Sequence, residues 1–139
     1  PPPLQPNPPT LEQVVDIPAR NTPLVLCVAG GVSEHAQAAA LLRALRAVST
    51  LPGARLVRAF ANDALERTRR LFHPRDLEGV ESLGVALAGS HAERAADLVA
   101  RFDALLARQR AAAVIVFDGG ESALACALAA SRRKVPVLR

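Results

Sequence analysis

The sequence predicts an α/β domain of Rossmann-like, three-layer type, with helices on both faces of a parallel sheet of about five strands. From Leu24 onward, apolar runs of strand length alternate with alanine- and leucine-rich runs of helical period. Two of the apolar runs, "LVLCVA" and "AAVIVF", are unbroken, as strands covered on both faces must be. Each leads through a pair of glycines into a helix. Strands that alternate with helices pair in parallel through right-handed crossovers. At 139 residues and 50% apolar composition the chain can bury one core, so a single domain is expected.

The opening "PPPLQPNPPT" holds six prolines in ten residues and cannot form regular hydrogen bonds. Residues 1–22 are therefore read as a proline-rich linker in a longer polypeptide, and residues 23–139 as the domain. The first strand is expected at about Leu24–Ala29, then a helix at about Glu34–Ser49 whose Leu41, Leu42, Leu45 and Val48 share a face. "TLPGA" stops that helix, "ARLVRAF" is the next strand, and "NDALERTRRLF" the next helix, with Asn62 or Asp63 as its cap. A loop with "HPRD" and "EG" leads to a strand around "LGVALAG". A long helix from about His91 to Gln109 puts Leu98, Phe102, Leu105 and Leu106 on one side. The strand "AAVIVFDGG", the helix "ESALACALAASRR" and a last strand beginning at "VPVLR" complete the pattern.

Composition narrows the function. The net charge is +4, but sixteen of the seventeen basic residues are arginine, with Lys134 alone, and many lie among acids, as in Arg94, Asp97, Arg101 and Asp103, in the manner of a solvated helix face. Aromatics are 3%, all phenylalanine, which leaves little for stacking on bases, so a nucleic-acid partner is not expected. Cys27 and Cys126 have no second cysteine or histidine at ligand spacing and read as small buried hydrophobes, so neither a metal nor a cofactor is expected. No run is apolar and long enough to cross a membrane and no signal-peptide pattern is present, so a cytoplasmic location is expected.

Ligands of such sheets bind beyond the carboxyl ends of the strands. That selects the loops at Gly30–Glu34, Phe60–Asp63, Gly89–His91 and Phe117–Ser122. In the first, Gly30 and Gly31 let backbone approach a ligand, and Ser33 is the expected helix cap with Glu34 in the first turn. His35 reads as a solvated helix residue. In the last, Asp118 ends a buried strand, Gly119 and Gly120 follow, and Glu121 and Ser122 open a helix; Asp118 or Ser122 either caps that helix or meets a ligand. The ligand-binding candidates are thus Gly30, Gly31, Ser33, Gly119, Gly120 and Ser122, and the catalytic candidates Asp118 and Glu34. No Lys or Arg lies in the first loop, so a phosphate bound at the helix N-termini would be held weakly.

The segment "VLCVAGGVSEHAQAAALLRALRA" resembles the start of non-hydrolysing UDP-N-acetylglucosamine 2-epimerases: a strand, then G-T-R-P-E, then a helix. "AAAVIVFDGGESALACALAASRRKVPV" is similar to a later segment of that family, a strand ending in G-D-T, a small-residue helix and I-P-V. The helix "AERAADLVARFDALLARQR" lies between them, as the long helix does in the family. The resemblance runs from Leu24 to Leu138 and implies the N-terminal half of a two-domain fold of glycosyltransferase-B type, with a nucleotide or nucleotide sugar as ligand. The departures fall in the loops. The family's Thr and Arg are Gly31 and Val32, its Pro is Ser33, and its Glu is kept as Glu34. Its Lys one turn on is Gln37, its Q-H is Phe60-Ala61, and G-D-T is Asp118-Gly119-Gly120, so Gly119 stands at the carboxylate position.

Two functions follow from the resemblance. One is a divergent, inactive domain that binds or assembles within a larger protein, its partners being the remaining domains or another protein. The other is the nucleotide-sugar half of an active two-domain epimerase or glycosyltransferase-like enzyme. Fold alone does not choose between them.

Overall fold

The computed structural model describes residues 24–48, 53–117 and 120–139. The linker assigned to residues 1–22, most of the "TLPGA" turn, and two site candidates, Asp118 and Gly119, lie outside the described residues.

Five parallel strands form one sheet in the order β3-β2-β1-β4-β5. They are β1 (Leu24–Ala29), β2 (Ala54–Phe60), β3 (Glu81–Val85), β4 (Ala111–Val116) and β5 (Val137–Leu138). Among the described residues four α-helices accompany them: α1 (Val32–Arg46), α2 (Ala64–Thr68), α3 (His91–Arg108) and α4 (Glu121–Arg132). The three-layer expectation holds. Leu26, Val28, Val57, Val85 and Val114 meet Leu98, Phe102 and Leu105 of α3 and the alanines of α4 on one face. On the other, Cys27, Ala29 and Leu56 meet Ala38, Ala39 and Leu42 of α1, with Leu65 and Phe72. Adjacent residues of β1 thus serve opposite layers, which is why "LVLCVA" shows no polar alternation.

The period of α3 predicts its face correctly: Leu98, Phe102, Leu105 and Leu106 are its buried residues. α1 differs. Its buried residues are His35, Ala38, Ala39 and Leu42, while Leu41 and Leu45 are half-buried on its flank and Val48 is 46% exposed. Ala38 and Ala39 thus share the sheet-facing side with Leu42, while Leu41 and Leu45 lie to its edge. The segment after β2 also departs from expectation, since α2 ends at Thr68, whose hydroxyl donates to the Ala64 carbonyl (2.8 Å). Two 3₁₀ turns, Arg69–Leu71 and Pro74–Leu77, follow, and between them Phe72 drops into the core. β3 starts two residues earlier than "LGVALAG" and stops at Val85, leaving Leu87 exposed in a loop.

β1 lies between β2 and β4, and the chain leaves it on one face through α1 and returns to β4 on the other through α3. The switch point therefore falls between the carboxyl ends of β1 and β4, beside the N-termini of α1 and α4.

Candidate functional site

Gly30 closes β1 and is buried. Its N–H donates to Glu34 Oε1 (2.8 Å) and its carbonyl accepts from Asn62 Nδ2 (2.9 Å). A Cβ at Gly30 would lie 2.9 Å from Ser122 Oγ and 3.0 Å from Phe60 Cε2. Its need for glycine is thus enclosure by protein atoms. Gly31 is exposed, is the N-cap of α1, and would have nothing within 4 Å of a Cβ.

The helix starts two residues before the expected position, so Ser33 lies inside the first turn and is no cap; it is exposed, and its Oγ is 3.4 Å from Gln37 Nε2. Glu34 reaches across to the second loop. Its Oε1 accepts from Ser122 Oγ (3.2 Å) as well as from Gly30 N–H, and its Oε2 would stand 2.7 Å from a Cβ on Gly120. Ser122 is fully buried in the first turn of α4, and the cap of α4 is Gly120, with no side-chain hydrogen bond. Of the residues selected from the sequence, Gly30, Glu34, Gly120 and Ser122 therefore come together, and Gly31 stands beside them facing solvent.

The reading of His35 as solvated is corrected: the ring is 1% exposed. Its Nδ1 donates to the Gly31 carbonyl (2.7 Å), a contact that places the proton there and leaves Nε2 buried without a partner among the described residues. Its pKa is lowered, chiefly by burial and further by the positive Arg58, against the Gly31 bond, which raises it. His35 braces the start of α1 from inside.

Arg94 is also corrected. Rather than standing in a solvated row, it is half-buried, donates through Nη1 to the carbonyls of Leu87 (3.1 Å) and Gly89 (2.8 Å), and grips Glu121 through Nε and Nη2 (2.9–3.3 Å). His91 Nδ1 hydrogen-bonds the same carboxylate. The Arg94 bond, followed by that of His91, depresses the Glu121 pKa to about 2. A second arginine at this edge, Arg58, donates to the Asn62 carbonyl (2.8 Å) and pairs with Glu66 (3.6 Å). Nothing local announces these partners, since Arg94 and Glu121 are 27 positions apart and meet only because α3 and α4 share a face of the sheet.

Glu34 and Glu121 at the two helix N-termini are held by protein donors, and Arg58 and Arg94 each have carbonyl and carboxylate acceptors, while Arg58 Nε, like His35 Nε2, is buried with no partner among the described residues. The two cysteines are buried and free, with their thiols pushed up to about 12 by desolvation. Among the described residues no cluster of His, Cys, Asp and Glu could hold a metal ion, and no helix is long and apolar enough to cross a membrane.

No family model and no curated protein matches the chain in sequence. Solved structures do match in fold. A UDP-GlcNAc 2-epimerase from Neisseria meningitidis, bound to UDP-GlcNAc, superposes with a TM-score of 0.69 at 20% identity, over 82% of this chain and 31% of that one. A putative UDP-N-acetylglucosamine 2-epimerase from Listeria monocytogenes gives 0.72 at 16%, over 84% and 30%. A UDP-GlcNAc 2-epimerase from Methanocaldococcus jannaschii, in complex with UDP-GlcNAc and UDP, gives 0.64 at 19%, over 82% and 31%. The chain thus spans about a third of the length of these proteins and has the fold expected of their N-terminal half.

Proposed function

We propose that this chain, a divergent N-terminal fold of the UDP-N-acetylglucosamine 2-epimerase type, is a catalytically inactive binding or assembly module of a larger protein. One observation carries the reading: among the described residues the charged groups at the switch point, Glu34, Arg94 and Glu121, are taken up by protein partners. Glu34 is bound by Gly30 N–H and Ser122 hydroxyl, and Arg94 is bound by Glu121. The elimination and re-addition of UDP, which the resemblance implies for the family, needs cations at a leaving pyrophosphate and carboxylates free to move protons near the sugar. Here a phosphate approaching α4 meets Glu121, a carboxylate that stays ionised down to about pH 2. The ligand class that fits the fold is a nucleotide or nucleotide sugar, held weakly by helix N-termini.

The test is a coupled assay of the purified chain for conversion of UDP-N-acetylglucosamine to UDP-N-acetylmannosamine. No product above a no-protein control is expected, and product formation would overturn the reading in favour of an active enzyme half. Titration with UDP, followed by amide shifts, should give no response or a weak one at Gly30, Gly31, Gly119 and Gly120.

A further inference from the structure

The segment after β2 carries a concentration of positive charge that the fold does not use. Arg67 in α2, Arg69 and Arg70 in the first 3₁₀ turn, and Arg75 in the second are all exposed, and none takes part in an ion pair among the described residues. Arg43 of α1 joins them, because its Nε donates to the Leu71 carbonyl (2.8 Å). The nearest acids in sequence are withdrawn: Glu66 pairs with Arg58 and Asp76 with Arg46. Asp63 and Glu78 stand at the ends of the segment, exposed, and form no ion pair with it among the described residues.

The platform beneath is firm. Phe72 and Leu65 are buried in the core, and the Thr68 hydroxyl holds the Ala64 carbonyl. These arginines repel one another on an ordered surface, an arrangement that an anionic partner relieves. Leu71, which follows Arg69 and Arg70 in the chain and whose carbonyl is bound by Arg43, is 42% exposed. An exposed apolar side chain among arginines in one short segment matches the anatomy of protein interfaces, where arginine is enriched and forks onto carboxylates. No phenylalanine is available to stack on bases, since Phe60, Phe72 and Phe102 are buried and Phe117 is half-buried, which leaves the half-buried His73 as the one aromatic ring in the segment.

We infer that the surface formed by Arg43, Arg67, Arg69, Arg70 and Arg75 with Leu71 docks an acidic protein segment that carries an apolar side chain among its carboxylates. The inference stands apart from the switch point and does not depend on whether that site turns over a nucleotide sugar.

The test uses the full chain and three fluorescein-labelled probes at low salt: a short peptide of repeated Glu-Glu-Leu triplets, its Glu-Glu-Ser counterpart, and an oligo-dT strand of equal charge. The leucine peptide should bind most tightly and weaken about tenfold in the combined variant R67Q/R69Q/R70Q/R75Q. Those side chains form no hydrogen bond or ion pair among the described residues, so the variant should melt with the parent, and the control R101Q/R108Q on α3, across the sheet, should bind within about twofold. Four results would each overturn the inference: no saturable binding of the leucine peptide, affinity unchanged by the four substitutions, equal binding of the serine peptide, or tighter binding of the oligonucleotide.

Discussion

The three long helices begin along the carboxyl edge of the sheet, and they begin in two ways. α3 is closed by its own residues: Ser90 Oγ accepts from Glu93 N–H (3.1 Å), and the Glu93 carboxylate accepts from Ser90 N–H (2.8 Å). α1 and α4 begin at Gly31 and Gly120 with no side-chain cap, and between them stands Glu34, bound to Gly30 beside it and to Ser122, 88 positions away. The first arrangement is a local capping box that any helix with that sequence can form. The second exists only when β1 and β4 are paired. A helix end capped from within stabilises itself, whereas one carboxylate shared by Gly30 and Ser122 ties the junctions after β1 and β4 to each other.

That contrast can be broken most severely at Gly30. Gly30→Val forces a side chain against Ser122 and Phe60 and should cost about 3 kcal/mol in chemical denaturation. Glu34→Ala comes next: it strips a buried N–H of its acceptor and should cost about 2 kcal/mol. A double-mutant cycle with Ser122→Ala should show coupling between the junctions, and strict additivity would mean that Glu34 does not tie them together. Ser90→Ala should cost about 1 kcal/mol, by loss of one cap alone, with no coupling to Glu34. Gly31→Ala, in open space, should cost only about 0.5 kcal/mol, through the weaker N-cap preference of alanine.

The mildest change concerns charge. In Arg94→Gln the Glu121 carboxyl, followed by NMR, should titrate well above its parent midpoint of about 2, toward the ordinary value of 4.5. Because the folded pKa is depressed, the pairing contributes its stability above the ordinary carboxylate range and loses it as pH falls from there toward 2. In the variant that acid-side loss should shrink, and an unmoved Glu121 midpoint would mean that Arg94 is not its main partner.

Much of this was legible in the residues. β1 lies where "LVLCVA" places it, α3 buries the face that its period marks, and both cysteines are buried as small hydrophobes. Of the eight candidates in the two glycine loops, Gly30, Glu34, Gly120 and Ser122 lie together in space. Other roles were not legible. "SEH" gives no sign that Ser33 is past the cap, or that His35 points inward under the Gly31 carbonyl. Arg94, four residues into a capped helix among acids, looks like any solvated arginine until α4 brings Glu121 to it.

The sequence by itself determined the alternation of strands and helices, the two glycine turns, and the fact that the strands must be covered on both faces. Those are properties of residues close along the chain, where the periods of strand and helix and the freedom of glycine act without reference to anything distant. The tertiary structure alone decided that Gly30 is enclosed while Gly31 is open, that Glu34 serves as a junction, and that Arg94 is spent on Glu121. A side chain's hydrogen-bond partner depends on which strands become neighbours. Here the β3-β2-β1-β4-β5 order sets β4 beside β1, and only that placement brings Ser122 to Glu34.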